Sequence, residues 1–428
     1  MRVSGPLACK VAVGVLGNIP EPRRAVFRRF RDVAGDIIDT GLALYFPAPH
    51  SFTGEDVLEL QGHGGPVVMD LLLAQVLQLG ARLARPGEFS QRAFLNGKLD
   101  LVQAEAIADL IDSASEAAAR SAQCTLQGEF SKHVQSVLGR LVELRVAVEA
   151  TLDFPEEELD GLTKANVAAG LQEVSEIIAG TLASATRGRL LREGLTVVIA
   201  GRPNVGKSSL LNRLAEREAA IVTAIPGTTR DVLREQIQID GVPLHIVDTA
   251  GLRTTWDIVE RQGVSRAWEA VRSADVVVLV VDDQAGLGAE EEAILGQLAD
   301  RPELLVVRNK VDLSGAQPGL VTGSKPPAVR ISAMTGAGLD PLRQQLKLVA
   351  GCRQTTEGLF LARRRHLEAL QRSQAAVESA RRQLSRFCAV ELVAEDLREA
   401  QRALGEITGE FTSEQLLERI FSSFCVGK

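Results

Sequence analysis

Hydrophobic residues recur along this chain at the spacing of helix faces in some stretches and as short uninterrupted runs in others. Residues 87–154 and 156–202 contain no proline, and their apolar side chains fall three or four positions apart, so each stretch carries an apolar helix face. The members of these faces are Val134, Val137, Leu138, Leu141, Leu144 and Val148, and Val167, Leu171, Val174, Ile178 and Leu182. Proline is also absent after Pro341, and we predict helices in that stretch as well.

Short aliphatic and β-branched runs alternate with helical stretches between about residues 194 and 350. The runs are Leu195–Ala200, Val276–Val281, Leu304–Val307 and Val329–Ser332. This alternation predicts βαβ units on a largely parallel sheet. Residues 236–246 differ, because two extended runs meet there at Asp240-Gly241, a two-residue hairpin signal.

The first hundred residues hold seven of the 16 prolines and many glycines, which predicts a mixed α/β domain with turns. An α/β domain therefore interrupts a helical one, and the fold class is multidomain α/β plus α. We predict an N-terminal α/β domain at 1–98, a helical domain in two segments at 99–193 and 351–428, and an inserted α/β domain at 194–350.

Composition narrows the class of protein. With 45% hydrophobic and 24% charged residues, the chain is typical of a globular protein. Its net charge of −7 argues against bulk binding to nucleic acid, which needs many basic contacts to phosphates. The five cysteines form no C-x-x-C pair, which favours a reducing compartment over a zinc or disulfide scaffold. No apolar run reaches the length of a membrane span, so we expect a cytoplasmic protein.

Residues 201–208 read Gly-Arg-Pro-Asn-Val-Gly-Lys-Ser, which is a P-loop between a predicted strand and a predicted helix. Its glycines let the backbone wrap phosphate groups, Lys207 adds charge at the β and γ oxygens, and Ser208 can ligate Mg²⁺. Four further motifs follow in order: Pro-Gly-Thr-Thr-Arg-Asp at 226–231, Asp-Thr-Ala-Gly at 248–251, Asn-Lys-Val-Asp at 309–312, and Ser332-Ala333.

This series resembles the translation-factor-like GTPases. The resemblance implies that Thr229 completes the Mg²⁺ shell begun by Ser208, that Asp248 holds the ion through water, and that Gly251 senses the γ-phosphate. The carboxylate of Asp312 can accept hydrogen bonds from guanine N1–H and the 2-amino group, so we predict a strong preference for GTP over ATP. The predicted GTP-binding residues are Asn204, Val205, Gly206, Lys207, Ser208, Ser209, Thr223, Ala224, Ile225, Pro226, Gly227, Thr228, Thr229, Asp248, Thr249, Ala250, Gly251, Asn309, Lys310, Val311, Asp312, Ser332, Ala333 and Met334.

Two positions depart from Ras-type GTPases. Leu252 stands where those enzymes place the glutamine that orients the attacking water, and leucine cannot do so. The nearby candidates for that role are Arg253, Asp257, Glu260 and Arg261. Asn204 is the second departure: its side-chain carbonyl can ligate a monovalent cation together with carbonyls of the loop 223–228, or it can simply form a turn.

Motifs outside the nucleotide site extend the resemblance over the whole chain. They are Ser-Phe-Thr-Gly-Glu-Asp at 51–56, Gln-Gly-His-Gly-Gly-Pro at 61–66, Arg-Pro-Gly-Glu-Phe-Ser at 85–90, Ala-Phe-Leu-Asn-Gly-Lys-Leu-Asp at 93–100, and Phe-Ser-Ser-Phe-Cys-Val-Gly-Lys at 421–428. With them the chain resembles the MnmE (TrmE) family of tRNA uridine-modification GTPases. The resemblance implies a folate-binding-like N-terminal domain, a discontinuous helical domain and an inserted Ras-like P-loop GTPase domain.

The same resemblance implies a potassium-dependent reaction. K⁺ would be held by Asn204, Thr223, Ile225 and Thr228, Glu260 would orient the water, and Arg253 and Cys425 are further catalytic candidates. Cys425 is also compatible with a small buried apolar residue. The folate-binding positions would be Arg2, Glu59, Lys98 and Lys428, with 5,10-methylenetetrahydrofolate as the one-carbon donor and 5-formyltetrahydrofolate as its analogue.

As implied partners, the chain would form a homodimer and join MnmG, an FAD protein that uses NADH, in a heterotetramer or larger assembly. Together they would add an aminomethyl or carboxymethylaminomethyl group to C5 of the wobble uridine of certain tRNAs. The alternative is a regulatory switch GTPase of the ribosome-assembly type without modification chemistry. The basic runs 23–31 and 363–365 are either solvated faces or tRNA contacts. Family members usually carry further residues before the position of Arg2, so we expect a misplaced start codon or a truncation and an incomplete folate pocket.

Overall fold

The structure is a computed structural model of the chain, which divides into two compact units. It describes residues 1–113, 115–153, 164–216, 234–239, 242–248, 271, 274–297, 303–349, 360–386, 390–410, 417, 420–422 and 424. The first unit comprises Met1–Ala108, Thr125–Ile178 and Ala369–Lys428, and the second comprises Asp109–Cys124 and Ala179–Glu368. The predicted domain boundaries at 98, 193 and 350 stay a prediction.

The described residues form strands and helices in an order that matches the predicted mixed architecture. The strands are β1 (Arg2–Ser4), β2 (Val26–Arg31), β3 (Ile37–Phe46), β4 (Val57–Gln61), β5 (Leu195–Ala200), β6 (Arg234–Ile239), β7 (Val242–Asp248), β8 (Val276–Asp282), β9 (Leu304–Asn309), β10 (Gly319–Val321) and β11 (Ala328–Arg330). The helices are α1 (Ala8–Leu16), α2 (Pro66–Gln78), α3 (Glu88–Leu95), α4 (Leu101–Ile111), α5 (Glu116–Leu126), α6 (Glu129–Asp153), α7 (Lys164–Glu193), α8 (Lys207–Glu216), α9 (Ala289–Gln297), α10 (Val311–Ser314), α11 (Leu339–Val349), α12 (Arg364–Arg386) and α13 (Val390–Thr408).

The N-terminal part of the first unit is built on an antiparallel sheet in the order β1-β4-β3-β2. One sheet face is covered by α1 and α2, whose Val11, Val15 and Leu72 pack against Phe30 and Leu58 in a single apolar core. Strand alternation sends every second side chain of β4 to the opposite face. Glu59 therefore lies on the sheet face that its core neighbours Leu58 and Leu60 do not share. Its pairing partner on the neighbouring strand β1 is Arg2.

The rest of the first unit is helical. Helix α6 packs along α13, and the apolar face predicted from the spacing is confirmed, because Val134 and Leu141 are buried. Leu101 at the start of α4 packs in a separate cluster with Phe421 and Phe424. No helix within the described residues is both long enough and apolar enough to cross a membrane.

The second unit contains a mixed sheet in the order β10-β11-β9-β8-β5-β7-β6. Its inner strands from β11 to β7 are parallel, and the edge strands β10 and β6 are antiparallel to their neighbours. The strand predicted at Val276–Val281 is buried along its whole length, as a strand covered on both faces must be. The predicted hairpin is also confirmed, with Ile239 paired to Val242.

The last predicted strand differs from the observed one. Strand β11 ends at Arg330 instead of continuing to Ser332. Ser332 begins a turn, because its carbonyl accepts a hydrogen bond from Gly336 N at 2.8 Å and its hydroxyl one from Thr335 N at 3.1 Å. Strand β10, three residues long, was not predicted because it has no apolar run.

A buried carboxylate ties distant segments of the second unit together. Asp109 Oδ1 accepts hydrogen bonds from Arg192 Nε at 2.8 Å and from Arg363 Nη2 at 2.7 Å. The Arg363 side chain is only 16% exposed. The interpretation of the run 363–365 as a solvated face or tRNA contact is therefore wrong for Arg363, whereas Arg364 does lie at the surface.

We expect Gly188→Ala, in α7, to lower the free energy of unfolding by about 1–3 kcal/mol, because the added methyl group would overlap the backbone carbonyl of Phe360. Gly180→Ala in the same helix is the matched control. No atom lies within 4 Å of its added methyl group, so the better helix propensity of alanine is expected to stabilise by up to about 1 kcal/mol. Urea unfolding followed by circular dichroism measures both, and equal effects would contradict the close approach at Gly188.

Candidate nucleotide site

The P-loop lies between the end of β5 at Ala200 and the start of α8 at Lys207. Three of its residues have positive φ: Gly201 at 144°, Asn204 at 62° and Gly206 at 97°. A Cβ at Gly201 would overlap the Val280 carbonyl, and one at Gly206 would overlap the Asn309 side chain. Both glycines are therefore needed for conformation and for close approach. Asn204 adopts the left-handed conformation that asparagine tolerates better than most residues.

Lys207 places its ammonium group inside the loop. Its Nζ donates hydrogen bonds to the carbonyls of Gly201 and Arg202, both at 2.9 Å. Ser208 and Ser209 follow on the exposed first turn of α8, whereas Val205 is buried. An ammonium group, a hydroxyl and the backbone N–H groups of a helix N-terminus are the donors that a nucleotide phosphate and its Mg²⁺ require. The residues present therefore fit such a ligand.

Asn309, at the end of β9, joins two of the predicted nucleotide motifs. Its buried amide donates from Nδ2 to the Val205 carbonyl at 2.8 Å and accepts at Oδ1 from Ala333 N at 2.9 Å. The P-loop and the Ser332-Ala333 segment therefore meet at one side chain. The structure thus brings together the first, fourth and fifth motifs, as their order predicts.

Arg213 of α8 holds the same segment from the other side. Its Nε donates to the Ala333 carbonyl at 3.3 Å, and its Nη2 donates to the Met334 carbonyl. Met334 is 77% exposed, so this loop is held by its backbone and not by burial of that side chain. Arg213 was not predicted from the sequence, because a single arginine on a helix carries no signal for a contact 120 residues away.

The Asn-Lys-Val-Asp loop turns sharply after β9. Lys310 has a φ of 69°, and its Nζ lies 2.8 Å from Asp282 Oδ2. This hydrogen bond is the main cause that holds the pKa of Asp282 below its usual value. Asp312 follows in α10 with an exposed side chain, where a base could reach its carboxylate.

Several predicted residues lie outside the described residues, and their roles stay predictions. They are Thr223, Ala224, Ile225, Pro226, Gly227, Thr228, Thr229, Thr249, Ala250, Gly251, Arg253, Glu260, Cys425 and Lys428. The backbone of Asp248 is described as the last residue of β7, which pairs in parallel with β5.

The predicted folate residues of the first unit lie on the sheet and beside it. Arg2 Nε donates to Glu59 Oε1 at 2.8 Å across neighbouring strands. The Arg2 guanidinium also lies 5.6 Å from the ring centroids of both Phe52 and Phe89. The Arg2 side chain is 37% exposed and Phe52 is 38% exposed, so this cation and this ring are accessible to a ligand, whereas Phe89 is buried.

Lys98 is positioned by the loop that precedes β4. Its exposed side chain runs past Gly54, where a Cβ would crowd both Lys98 and Asn96. Asn96 Nδ2 donates to the Thr53 carbonyl at 2.7 Å, and the Thr53 hydroxyl lies 2.7 Å from Ser4 Oγ on β1. Hydrogen bonds therefore connect the segment of Lys98 to the strand that carries Arg2.

A buried ionic network supports this part of the first unit. Glu88, 4% exposed, accepts hydrogen bonds from Arg82 Nη1 at 2.8 Å and Arg92 Nη2 at 2.7 Å. The Arg82 hydrogen bonds are the main cause that lowers the pKa of Glu88 to about 2. Arg92 also contacts Glu55 at 2.9 Å, and Glu55 accepts from the Ser4 hydroxyl at 2.8 Å.

The parallel sheet, the glycine-rich phosphate loop after β5 and the Asn-Lys-Val-Asp loop after β9 define a P-loop GTPase domain. Sequence profiles agree with that class and extend beyond it. The profile described as GTP-binding protein TrmE N-terminus matches residues 1–98, and the profile described as MnmE helical domain matches residues 101–425. The chain therefore belongs to the MnmE family, and the predictions of that family and of a GTPase enzyme class are confirmed.

Individual relatives match over the whole chain. The tRNA modification GTPase MnmE of Nitrosococcus oceani is 58% identical over 428 residues, covering 100% of this chain and 93% of that protein. The protein of the same name from Chromohalobacter salexigens is 57% identical, with 100% and 94% covered. A crystal structure of Era from Aquifex aeolicus is 26% identical with a TM-score of 0.29, covering 42% of this chain and 66% of that one.

We expect Glu88→Gln to destabilise the protein by about 2 kcal/mol at neutral pH, less than the full pKa shift implies because Arg82 is 61% exposed and screened by solvent. The folded pKa of Glu88 lies below its ordinary value of 4.5, so its contribution is present above that pH and is lost as pH falls towards about 2. Thermal unfolding of both proteins at pH 7 and pH 3 measures this.

Glu116→Gln is the control for this pH dependence, because Glu116 pairs with Arg120 at the surface with 79% of its side chain exposed. It is expected to change stability by less than about 0.5 kcal/mol at either pH. A difference between wild type and Glu88→Gln that stays constant from pH 7 to pH 3 would show that ionisation of Glu88 contributes nothing.

Proposed function

We propose that this protein binds GTP with Mg²⁺, hydrolyses it in a potassium-dependent reaction and uses the cycle in modification of the wobble uridine of tRNA. The main observation that supports a GTP site is the buried Asn309 amide. Its two hydrogen bonds hold the phosphate loop and the Ser332-Ala333 segment together at the strand that leads into the Asn-Lys-Val-Asp loop. This contact supports a single site with two ends: a phosphate end at the P-loop, and a base end at the Asn-Lys-Val-Asp loop and the Ser332-Ala333 segment.

Different residues would contact the phosphates, the Mg²⁺ ion and the base of the nucleotide. Lys207 would exchange its two loop carbonyls for the β and γ oxygens, and Ser208 would ligate Mg²⁺, completed by Thr229. When bound, Mg²⁺ neutralises the charge that develops on the phosphates during hydrolysis. Asp312 would accept hydrogen bonds from guanine N1–H and the 2-amino group, which adenine does not offer.

Water positioning and cation binding rest on the family resemblance. Leu252 cannot orient a water, so Glu260 takes that role, with Arg253 as a further catalytic candidate. K⁺ would be held by the Asn204 side chain with Thr223, Ile225 and Thr228. The exposed Asn204 side chain on a left-handed backbone supports this proposal, since the turn leaves the amide oxygen free to point towards a ligand.

We expect the wild-type protein to hydrolyse GTP and not ATP, and to lose most of its rate when NaCl replaces KCl. Asp312→Asn is the matched variant: its amide can donate to the 2-oxo group of xanthine, so it is expected to hydrolyse XTP in preference to GTP. Phosphate release measured with GTP, ATP and XTP in both salts tests these points. Equal rates in KCl and NaCl would refute the role of K⁺, and an unchanged GTP preference in Asp312→Asn would refute base recognition by Asp312.

The first unit would bind the one-carbon donor, 5,10-methylenetetrahydrofolate. Arg2 and Lys98 would offer cations, and Glu59 a carboxylate, for charged and hydrogen-bonding groups of this ligand. The exposed ring of Phe52 beside Arg2 offers an apolar face. Lys428 would complete the set, and Cys425, three residues earlier in the sequence, is a candidate nucleophile or acid/base.

In the complete system we propose a cytoplasmic homodimer that joins MnmG, with its FAD and NADH, in a heterotetramer or larger assembly. The product would be an aminomethyl or carboxymethylaminomethyl group on C5 of the wobble uridine. The names of the full-length relatives, tRNA modification GTPase, support this proposal over a switch GTPase without modification chemistry.

Nucleoside analysis of tRNA from a strain that lacks this gene is expected to show loss of the modified wobble uridine. The wild-type gene is expected to restore it, whereas Glu59→Gln is expected not to, because the amide lacks the negative charge that pairs with Arg2 and has one acceptor oxygen instead of two. Glu21→Gln, at an exposed ion pair with Arg24 in the same unit, is the control that is expected to restore it fully. Identical wobble-uridine nucleosides in the parent strain and the deletion strain would refute the proposed modification chemistry.

A further inference from the structure

The segment 282–291, which leads from the end of β8 into α9, belongs to no recognised nucleotide motif, yet three of its carboxylates contact the nucleotide loops or the strands that carry them. Asp282 contacts Lys310, and Asp283, 4% exposed, accepts from the hydroxyl of Ser314 in α10 at 2.6 Å. The third carboxylate, Glu291, contacts Arg202 of the P-loop.

Glu291 lies in the first turn of α9 and is 3% exposed. Its Oε1 lies 2.7 Å from Nε of Arg202, the second residue of the P-loop, and its Oε2 accepts from Gly288 N at 3.0 Å. Both carboxylate oxygens are therefore used. Gly288 makes the approach possible, because a Cβ there would lie 2.8 Å from the Arg202 guanidinium. A buried carboxylate held in this way fixes the position of the arginine more firmly than a surface pair would.

Arg202 passes this restraint on to the phosphate-binding lysine. Its side chain is held by Glu291, and its own carbonyl accepts one of the two hydrogen bonds from Lys207 Nζ. A shift of Arg202 would therefore move the loop backbone and the lysine together. Phosphate binding by a P-loop depends on N–H groups and a lysine that are already in place before the ligand arrives.

We propose that Glu291 is a positioning residue of the P-loop, acting through Arg202 to hold Lys207 and the loop backbone in the geometry that binds phosphates. This inference rests on the proposed GTP site. It assigns Glu291 to the phosphate end alone, since the contacts to the base loop come from Asp282 and Asp283. A carboxylate that positioned the base loop would instead change the preference for nucleotides that carry the 2-amino group.

The test uses the full-length protein with the variants Glu291→Gln, Arg202→Gln and the double variant. Glu292→Gln is the matched control, because it makes the same charge change at the next residue, which is exposed. Fluorescent-nucleotide displacement gives the affinity for GTP, GDP and ITP, which lacks the 2-amino group. The GTP to ITP ratio reports the base end separately from the phosphate end.

We expect Glu291→Gln to weaken GTP and GDP about tenfold, within the range of coupling between residues of one ionic network, with an unchanged GTP to ITP ratio. Arg202→Gln is expected to weaken both nucleotides similarly, and the double variant no more than either single variant. Glu292→Gln is expected to bind like wild type.

The proposal is overturned if Glu291→Gln binds nucleotides like wild type, if the losses of the two single variants multiply in the double variant, or if the GTP to ITP ratio falls. Arg202→Gln changes a partly exposed side chain, so it decides the matter even where the buried variant fails to fold. Wild-type protein that binds no GTP would instead refute the proposed function, which keeps the two failures distinct.

Discussion

The nucleotide site depends on one buried, uncharged side chain. The Asn309 amide has both a donor and an acceptor, and at 2% exposure neither can be satisfied by water. An unpaired buried polar group costs about 1–3 kcal/mol, so the site is stable only when Val205 and Ala333 are both at hydrogen-bonding distance. The hydrogen bond from Asn309 to the Val205 carbonyl thereby joins residues that are 104 positions apart in the sequence. Gly206 is part of the same constraint, because any side chain there would displace the amide.

Charged pairs surround this neutral link and depend on the sheet for their arrangement. Strands β5, β8 and β9 are parallel neighbours, so their carboxyl ends meet at one edge. The P-loop, the segment that begins at Asp282 and the loop of Lys310 all leave from that edge. Opposite charges carried by different loops can therefore pair at short range, as Asp282 does with Lys310 and Glu291 with Arg202.

The first unit uses the same chemistry in a different setting. Glu88 is buried among arginines, and its pKa of about 2 means that it stays ionised under all ordinary conditions. The network extends through Arg92 and Glu55 to Ser4 on β1. Arg2, two residues away on the same strand, is thus held by structure that no ligand has to create. Preorganisation of this kind reduces the entropy lost when a ligand binds.

Much of the fold and the identity of the phosphate loop followed from the sequence, because both depend on local patterns. A strand buried on both faces must be apolar throughout, as Val276–Val281 is, and a phosphate loop needs glycines at fixed spacing between a strand and a helix. The predicted end of the strand β11 was wrong, because the turn at Ser332 does not show in the local pattern. The burial of Arg363 was missed, because it depends on the distant carboxylate of Asp109. Arg213, Asp282 and Glu291 gave no signal for the same reason.

The sequence by itself determined which segments become strands, helices and phosphate loop, since those choices depend on neighbours within a few residues. Only the tertiary structure decided which charged side chains serve the site, because a buried charge is stabilised by whichever partner the fold places within hydrogen-bonding distance.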